Sequence, residues 1–317
     1  MFAFVHTYEP HAPYLPPAEY EGQKFRGRFT KDGYHGEFRR RYDEMSKKSG
    51  HDTASAGAFL KNPEGMTDED VEFIRGLYDE NVLWTDSGFG RLIRTWSQHR
   101  RLSNTILVIV SDHGEQLGEH GWFGHGVGAY AELTRVPLII VVPKGPNGVI
   151  ETPVELAAVP ATILELLGLD PTPDMEPSLM PLLGKAVEPR AEAFFFDVDG
   201  PNWSALHLER QVVLSPPRNA RDSVYTDWNA YMWNFEEDPG GIIPRKLDEE
   251  ATRLRDLLLD RAARDLEYQA ERPLVTIARE EDAGERALLE ELGYVGHSDE
   301  GDDGAPPPND PPNGGGR

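Results

Sequence analysis

The 317-residue sequence contains no cysteine, so it can form no disulfide, offers no thiolate to zinc and holds no cysteine nucleophile. The same absence leaves the redox compartment open. Basic residues are scarce: 32 Lys and Arg stand against 55 Asp and Glu, and the formal charge of -23 repels nucleic acid and anionic membrane surfaces. No apolar stretch approaches the roughly 18 residues of a membrane span. The N-terminus lacks the basic region and apolar core of a signal peptide. These absences predict a soluble chain with neither a nucleic-acid partner nor membrane insertion, and no internal repeat divides it.

What is present is enough apolar content, 38%, for a buried core, and one stretch that concentrates chemistry. In ILVIVSDHGEQLGEHGWFGHG, residues 106–126, five apolar residues run directly into Ser111, Asp112, His113, Gly114 and Glu115, with His120 and His125 following. The β-branched run from Ile106 to Val110 has the pattern of a strand buried on both faces in a parallel sheet. The polar residues begin where it ends, at the carboxyl edge where open α/β sheets bind ligands.

Around this motif the chain alternates strand and helix signals. Phe2, Ala3, Phe4 and Val5 read as a buried strand that ends in His6 and His11, with Pro10 and Pro13 stiffening the loop. Residues 22–64 are polar and glycine-rich, an irregular loop with a short helix. Thr67 followed by Asp68, Glu69 and Asp70 caps a helix start, and apolar residues from Val71 to Trp96 recur at three- and four-residue spacing, which predicts one long amphipathic helix ending near His99. A second apolar run spans Val136–Val142. Val154–Leu167 has helical period, with Pro160 expected to kink it or mark its first turns. After Gly184, short runs at Ala193–Phe196, Leu206–Leu214 and Tyr231–Phe235 suggest a small antiparallel sheet, with an amphipathic helix at Leu247–Tyr268 packed on it. The final HSDEGDDGAPPPNDPPNGGGR is the composition of a disordered tail.

Asp112 and His113 are adjacent, and neighbours on a regular strand point to opposite faces, so both can serve one ion only if the strand has already ended. Gly114 is expected to permit that turn. A carboxylate with an imidazole suits a divalent cation, calcium or magnesium, with manganese and zinc also compatible. Taken alone, such a pair reads more simply as a turn cap beside a hydrogen-bonded loop histidine, but its place at a buried strand end with further histidines nearby favours ligation. His125, between Gly124 and Gly126, could bind an anionic oxygen or protonate a leaving group, as could His11. Each alone is equally readable as a solvated loop histidine. His6, His120, Glu115 and Glu119 rank below them, as supporting or surface groups.

Eight segments taken in order, FVHTYEPHAPY, YDENVLWTDSGFGRLI, SDHGEQLGEHGWFGHG, AELTRVPLII, ILELLGL, PSLMPLLGK, FEEDPGG and LEELGYVG, resemble the sulfatases of the alkaline-phosphatase superfamily. The resemblance implies an α/β/α sandwich with a mostly parallel sheet, followed by a smaller antiparallel sheet with a packed helix. It implies that Asp112 and His113 bind a divalent metal, usually calcium, and that His11 and His125 contact the sulfate or the leaving oxygen of a small anionic sulfate ester. It implies a division into residues 1–184 as the C-terminal part of the catalytic domain, 185–296 as the small subdomain and 297–317 as the tail.

The departures are equally specific. The family's first strand with paired acidic ligands, and the Cys/Ser-x-Pro-x-Arg segment that yields its formylglycine nucleophile, have no counterpart here. Ser215, Pro216, Pro217 and Arg218 set the arginine one position early, after a strand of the small sheet. Ala158 stands where the family usually has an acidic residue. The expectation is therefore a sulfuric ester hydrolase portion, inactive by itself, whose N-terminal half acts in cis or in trans. A phosphonate or phosphate monoester hydrolase on the same fold, and a non-catalytic metal-binding or interaction remnant, are the alternatives.

Overall fold

The computed structural model describes residues 1–31, 33–47, 60, 66–119, 123–125, 129–183, 193–196, 203–207, 210–215, 229–234, 237 and 245–271. In chain order the elements are β1 (Glu19–Tyr20), β2 (Gln23–Lys24), α1 (Glu37–Met45), α2 (Asp68–Gln98), β3 (Leu107–Val110), β4 (Gln116–Leu117), β5 (Phe123–Gly124), α3 (Ala131–Thr134), β6 (Leu138–Val141), α4 (Ala158–Leu166), β7 (Ala193–Phe196), β8 (Trp203–His207), β9 (Arg210–Ser215), β10 (Asn229–Asn234) and α5 (Glu249–Glu271). The tail expected from residue 297 lies outside the described residues, as do LEELGYVG and most of FEEDPGG. Among the described residues no helix is long and apolar enough to cross a membrane.

The chain forms two compact units, and the first comprises Met1–Ser103 with Gln116–Gly124. Its spine is α2, which begins where the cap signal places it: Thr67 and Asp70 exchange side-chain and backbone hydrogen bonds in a capping box. The helix buries Phe73, Ile74 and Leu77 against Ala12, Tyr14, Phe38 and Tyr42. A side chain of this size, fully withdrawn from water, contributes about 1.5–3 kcal/mol. Glu80, on the same helix, is also fully buried, and its Oε1 accepts the backbone N–H groups of Arg28, Phe29 and Thr30 at 2.9, 3.1 and 3.1 Å, with the Thr30 hydroxyl at 2.9 Å. A buried carboxylate thereby organises the loop before α1. The strand expected at Phe2–Val5 does not form: these residues join no ladder, and Phe2 and Phe4 are exposed. An apolar run becomes a strand only beside a neighbour, and no described strand pairs with it.

The second unit comprises residues 104–115 and the described residues from 125 onward. Here β3 pairs with β6, antiparallel, with Leu107 opposite Val141 and Val110 opposite Leu138. The parallel pairing expected of the motif strand is thus not the pairing it makes. β-Branched composition signals burial but not direction. Val110, Ile139 and Val141 are also more exposed than a two-face core strand would be. Pro160 sits in the first turn of α4, where its missing N–H costs no helical bond.

The antiparallel sheet runs in the order β10-β9-β8-β7. The run Leu206–Leu214, read as one strand, is divided between β8 and β9, which pair with His207 opposite Arg210. One face receives α5: Ala251 and Leu254 pack with Val212 and Met232, and Leu258 packs with Ala205 and Leu214. On the other strand face Val213 and Trp233 pack with Tyr130 and Ala131, and Gln211 donates to the Ala129 carbonyl at 2.8 Å. Consecutive residues of β9 face opposite ways, so one strand holds both the helix and the segment leading to α3.

Candidate functional site

The motif strand stops at Val110, and the chain turns at once. Ser111 Oγ donates to the carbonyl of His113 at 2.7 Å, and the His113 N–H donates to Asp112 Oδ1 at 3.0 Å. With the strand finished, the two side chains are no longer held on opposite faces. His113 Nε2 lies 3.9 Å from Asp112 Oδ2. His113 Nδ1 lies 2.8 Å from the Gly114 carbonyl, which only accepts, so Nδ1 carries a proton, and in the neutral ring the lone pair is on Nε2. Both side chains face solvent, Asp112 at 66% and His113 at 42% exposure.

Gly114 serves a different purpose from the turn expected of it. Its φ is not in the left-handed region; instead its N–H donates to the Leu133 carbonyl at 2.7 Å, and a Cβ at this position would lie 1.9 Å from the carbonyl oxygen of Glu132. The residue is glycine because the backbone of α3 passes against it.

His125 follows Gly124, whose φ of +84 is one that glycine adopts without strain. Its Nδ1 lies 2.6 Å from Glu115 Oε1, and the Glu115 side chain is only 6% exposed. The rings of His113 and His125 lie side by side, centroids 4.1 Å apart and tilted by 35°. Three of the four leading residues, Asp112, His113 and His125, are therefore brought together, and Glu115, ranked below them from sequence, joins them as the most buried member. The signal that could have promoted it is the short hairpin of β4 and β5. Its register pairs Gln116 with Gly124, so 115 and 125 are the next positions outward.

His11 belongs to the first unit. Its Nδ1 lies 2.7 Å from the Ala12 carbonyl, its ring stacks on Tyr8 with centroids 4.3 Å apart, and Asn81 on α2 donates to Glu9 at 2.5 Å and to the His11 carbonyl at 3.5 Å. The loop is thus tied to the helix that the rest of this unit packs upon. Glu119 has a structural task, accepting the Leu117 N–H at 2.5 Å and pairing with Arg75 at 2.8 Å. His120 lies outside the described residues.

The donor set fits one side of a divalent ion. Two ligands each about 2.0–2.6 Å from a common ion span a gap of this size, and a carboxylate oxygen with a neutral imidazole suits calcium, manganese or zinc. Among the described residues no three His, Cys, Asp or Glu gather around such a position. The pair is part of a ligand set and not a full cage.

The fold is shared with known hydrolases. The structure resembles that of a 2-O GAG sulfatase, with a TM-score of 0.51 and 16% identity over 70% of this chain and 47% of that one. It also resembles the phosphonate monoester hydrolase of Silicibacter pomeroyi, with a TM-score of 0.50 and 22% identity over 70% and 46% of the two chains. These likenesses define the class of fold, an α/β fold of the alkaline-phosphatase type. The family model described as Sulfatase matches residues 1–169, more than half of the sequence, and the chain belongs to that family. Among its relatives is an uncharacterized sulfatase, YidJ, of Escherichia coli, 30% identical over 57% of this chain and 33% of the relative. The chain spans about a third of the length of that relative.

Proposed function

We propose that this chain carries the cation-holding and leaving-group side of a sulfuric ester hydrolase acting on a small anionic sulfate ester. The observation that supports this reading is the convergence of Asp112 Oδ2 and His113 Nε2 at 3.9 Å, with the His125 ring beside them. Electrostatics adds to it. Asp112 and Glu115 place two carboxylates in a protein of formal charge -23, a field that repels a sulfate ester unless a cation is held there. A divalent ion, calcium by family resemblance, would supply charge neutralisation of the sulfuryl oxygens. Asp112 and His113 would hold it. His125, with Nδ1 engaged by Glu115, would use Nε2 to protonate the departing oxygen, and His11 would contact the sulfate.

The attacking group is not part of this set. No cysteine is present, and the chain by itself is expected to hydrolyse no ester and to bind metal weakly. Binding is therefore the direct test. Titration of the chain with calcium and with manganese, followed by calorimetry, should show one site that disappears in Asp112→Ala. Equal affinity in that variant would remove Asp112 from the metal site. Inorganic sulfate, phosphate and methylphosphonate added to the metal-loaded chain then separate the reaction classes. Preference for sulfate supports the reading above, and preference for phosphonate favours the chemistry named for the Silicibacter enzyme. Absence of both metal and anion binding would favour a non-catalytic module.

A further inference from the structure

Two histidines side by side pose a problem of division of labour. An imidazole ring turns readily about its terminal torsion and can offer either nitrogen, so two neighbouring rings beside a cation site could both become ligands. In this site each ring is tied at Nδ1, by chemically different partners. His113 is bonded to a neutral carbonyl, that of Gly114, at 2.8 Å. His125 is bonded to a carboxylate, Glu115, at 2.6 Å, and that carboxylate is 94% withdrawn from solvent. A buried carboxylate is held in place only by partners that satisfy it, so its position and that of the ring are mutually fixed.

We propose that Glu115 is a positioning residue that acts through His125: it holds the ring in the Nδ1–H form and so presents Nε2 as the working nitrogen beside the pair Asp112 and His113. The bond to Nδ1 needs no rearrangement when Nε2 gives up a proton, because the form left behind is the one Glu115 already holds. The same arrangement of a buried carboxylate on Nδ1 orients the working histidine in serine hydrolases. The hairpin supplies the placement, since the Gln116–Gly124 pair sets residues 115 and 125 opposite one another.

This inference rests on the proposed function for the use made of His125, but its test does not. Long-range proton–nitrogen correlation spectra of the full chain, labelled with 15N-histidine and recorded at one alkaline pH where imidazoles are neutral, read the tautomer directly. His125→Gln assigns the resonance by removing it. Wild type is expected to show Nδ1 as the pyrrole-type nitrogen. Glu115→Met, which keeps volume and loses the acceptor, should move Nδ1 to the pyridine-type position, and Glu115→Gln, whose carbonyl still accepts, should restore it. A residue that merely fills space would alter stability and leave this pattern unchanged. Wild type in the Nε2–H form, or an unchanged pattern in Glu115→Met, overturns the inference, and the wild-type spectrum decides even if the variant does not fold. A wild-type Nδ1–H signal in a chain that binds neither metal nor sulfate would leave the dyad standing and defeat the proposed function instead.

Discussion

Replacing Gly114 by alanine places a methyl carbon 1.9 Å from the Glu132 carbonyl oxygen, 3.0 Å from its carbonyl carbon and 3.2 Å from Leu133 Cα. An unstrained contact is about 3.5 Å, so the two backbone segments must part by roughly 1.5 Å. All three atoms are main chain, and no side-chain rotation can relieve the overlap. Separation by that amount also breaks the 2.7 Å bond from the Gly114 N–H to the Leu133 carbonyl. Overpacking costs about 1–3 kcal/mol, and a half-buried donor left without its acceptor up to about 1–3 kcal/mol more. The expected loss is therefore about 2–6 kcal/mol in urea unfolding followed by circular dichroism. The matched control is Gly148→Ala, where the added carbon meets nothing within 4 Å and φ is not left-handed; it should stay within about 1 kcal/mol of wild type. Because Asp112 and His113 immediately precede Gly114, the alanine variant should also lose metal binding under conditions where it is still folded. A Gly114→Ala chain as stable as the Gly148→Ala control, with metal binding intact, would refute the account of why this residue is glycine.

Other expectations follow from buried or capping carboxylates. Glu80→Ala removes the acceptor of three backbone N–H groups and a hydroxyl at once, and should cost about 3 kcal/mol or more in thermal unfolding, whereas Glu80→Gln, retaining a carbonyl acceptor, should cost clearly less. Equal losses in the two variants would show that side-chain volume, not acceptance, is what matters there. Asp248 accepts the Ala251 N–H at 2.7 Å at the start of α5 and pairs with Arg210 of β9 at 2.9 Å. The bond from Ala251 and then the pairing with Arg210 hold its carboxyl below the ordinary value of 3.8. A carboxyl depressed in the folded state stabilises fully above its unfolded value and progressively less as pH falls through the folded one. The stability gap between wild type and Asp248→Ala, about 1–2 kcal/mol for a lost cap, should accordingly be constant near neutrality and close below about pH 4; a gap that widens on acidification would contradict the assignment.

The features that could be read from sequence are those encoded locally. The helix Asp68–Gln98 follows from Thr67, the acidic first turn and a sustained apolar period, all within one segment. Asp112, His113 and His125 could be singled out because the end of an apolar run marks a strand end, and a polar cluster there has few structural uses. What escaped depends on pairing at a distance. The apolar run Ile106–Val110 carries no record of whether its neighbour is parallel, and the division of Leu206–Leu214 into two strands is visible only once Arg210 stands opposite His207. Glu115 reads from sequence as a supporting or surface group because its partner is a residue ten positions away, across a hairpin of two-residue strands too short to announce itself. Gly114 was recognised as special for the wrong reason: a glycine required by a passing backbone and one required by a turn look identical in sequence.

The bond from Gly114 to Leu133 makes a single amide proton a gauge of the whole second unit. Leu133 belongs to α3, whose first residue packs with Val213 and Trp233, while the Ala129 carbonyl just before it is held by Gln211 of β9. To free the Gly114 proton the helix must lift, and to lift the helix the Tyr130 ring must leave its edge-on contact with Trp233, 5.4 Å between centroids. The hydrogen-exchange clock of the motif is thus wound by a sheet more than seventy residues downstream. Substitutions that loosen β9 or β10 should quicken exchange at Gly114 before they touch any residue of the Asp112–His113 pair, so drift in the sheet would be felt first as imprecision at the site.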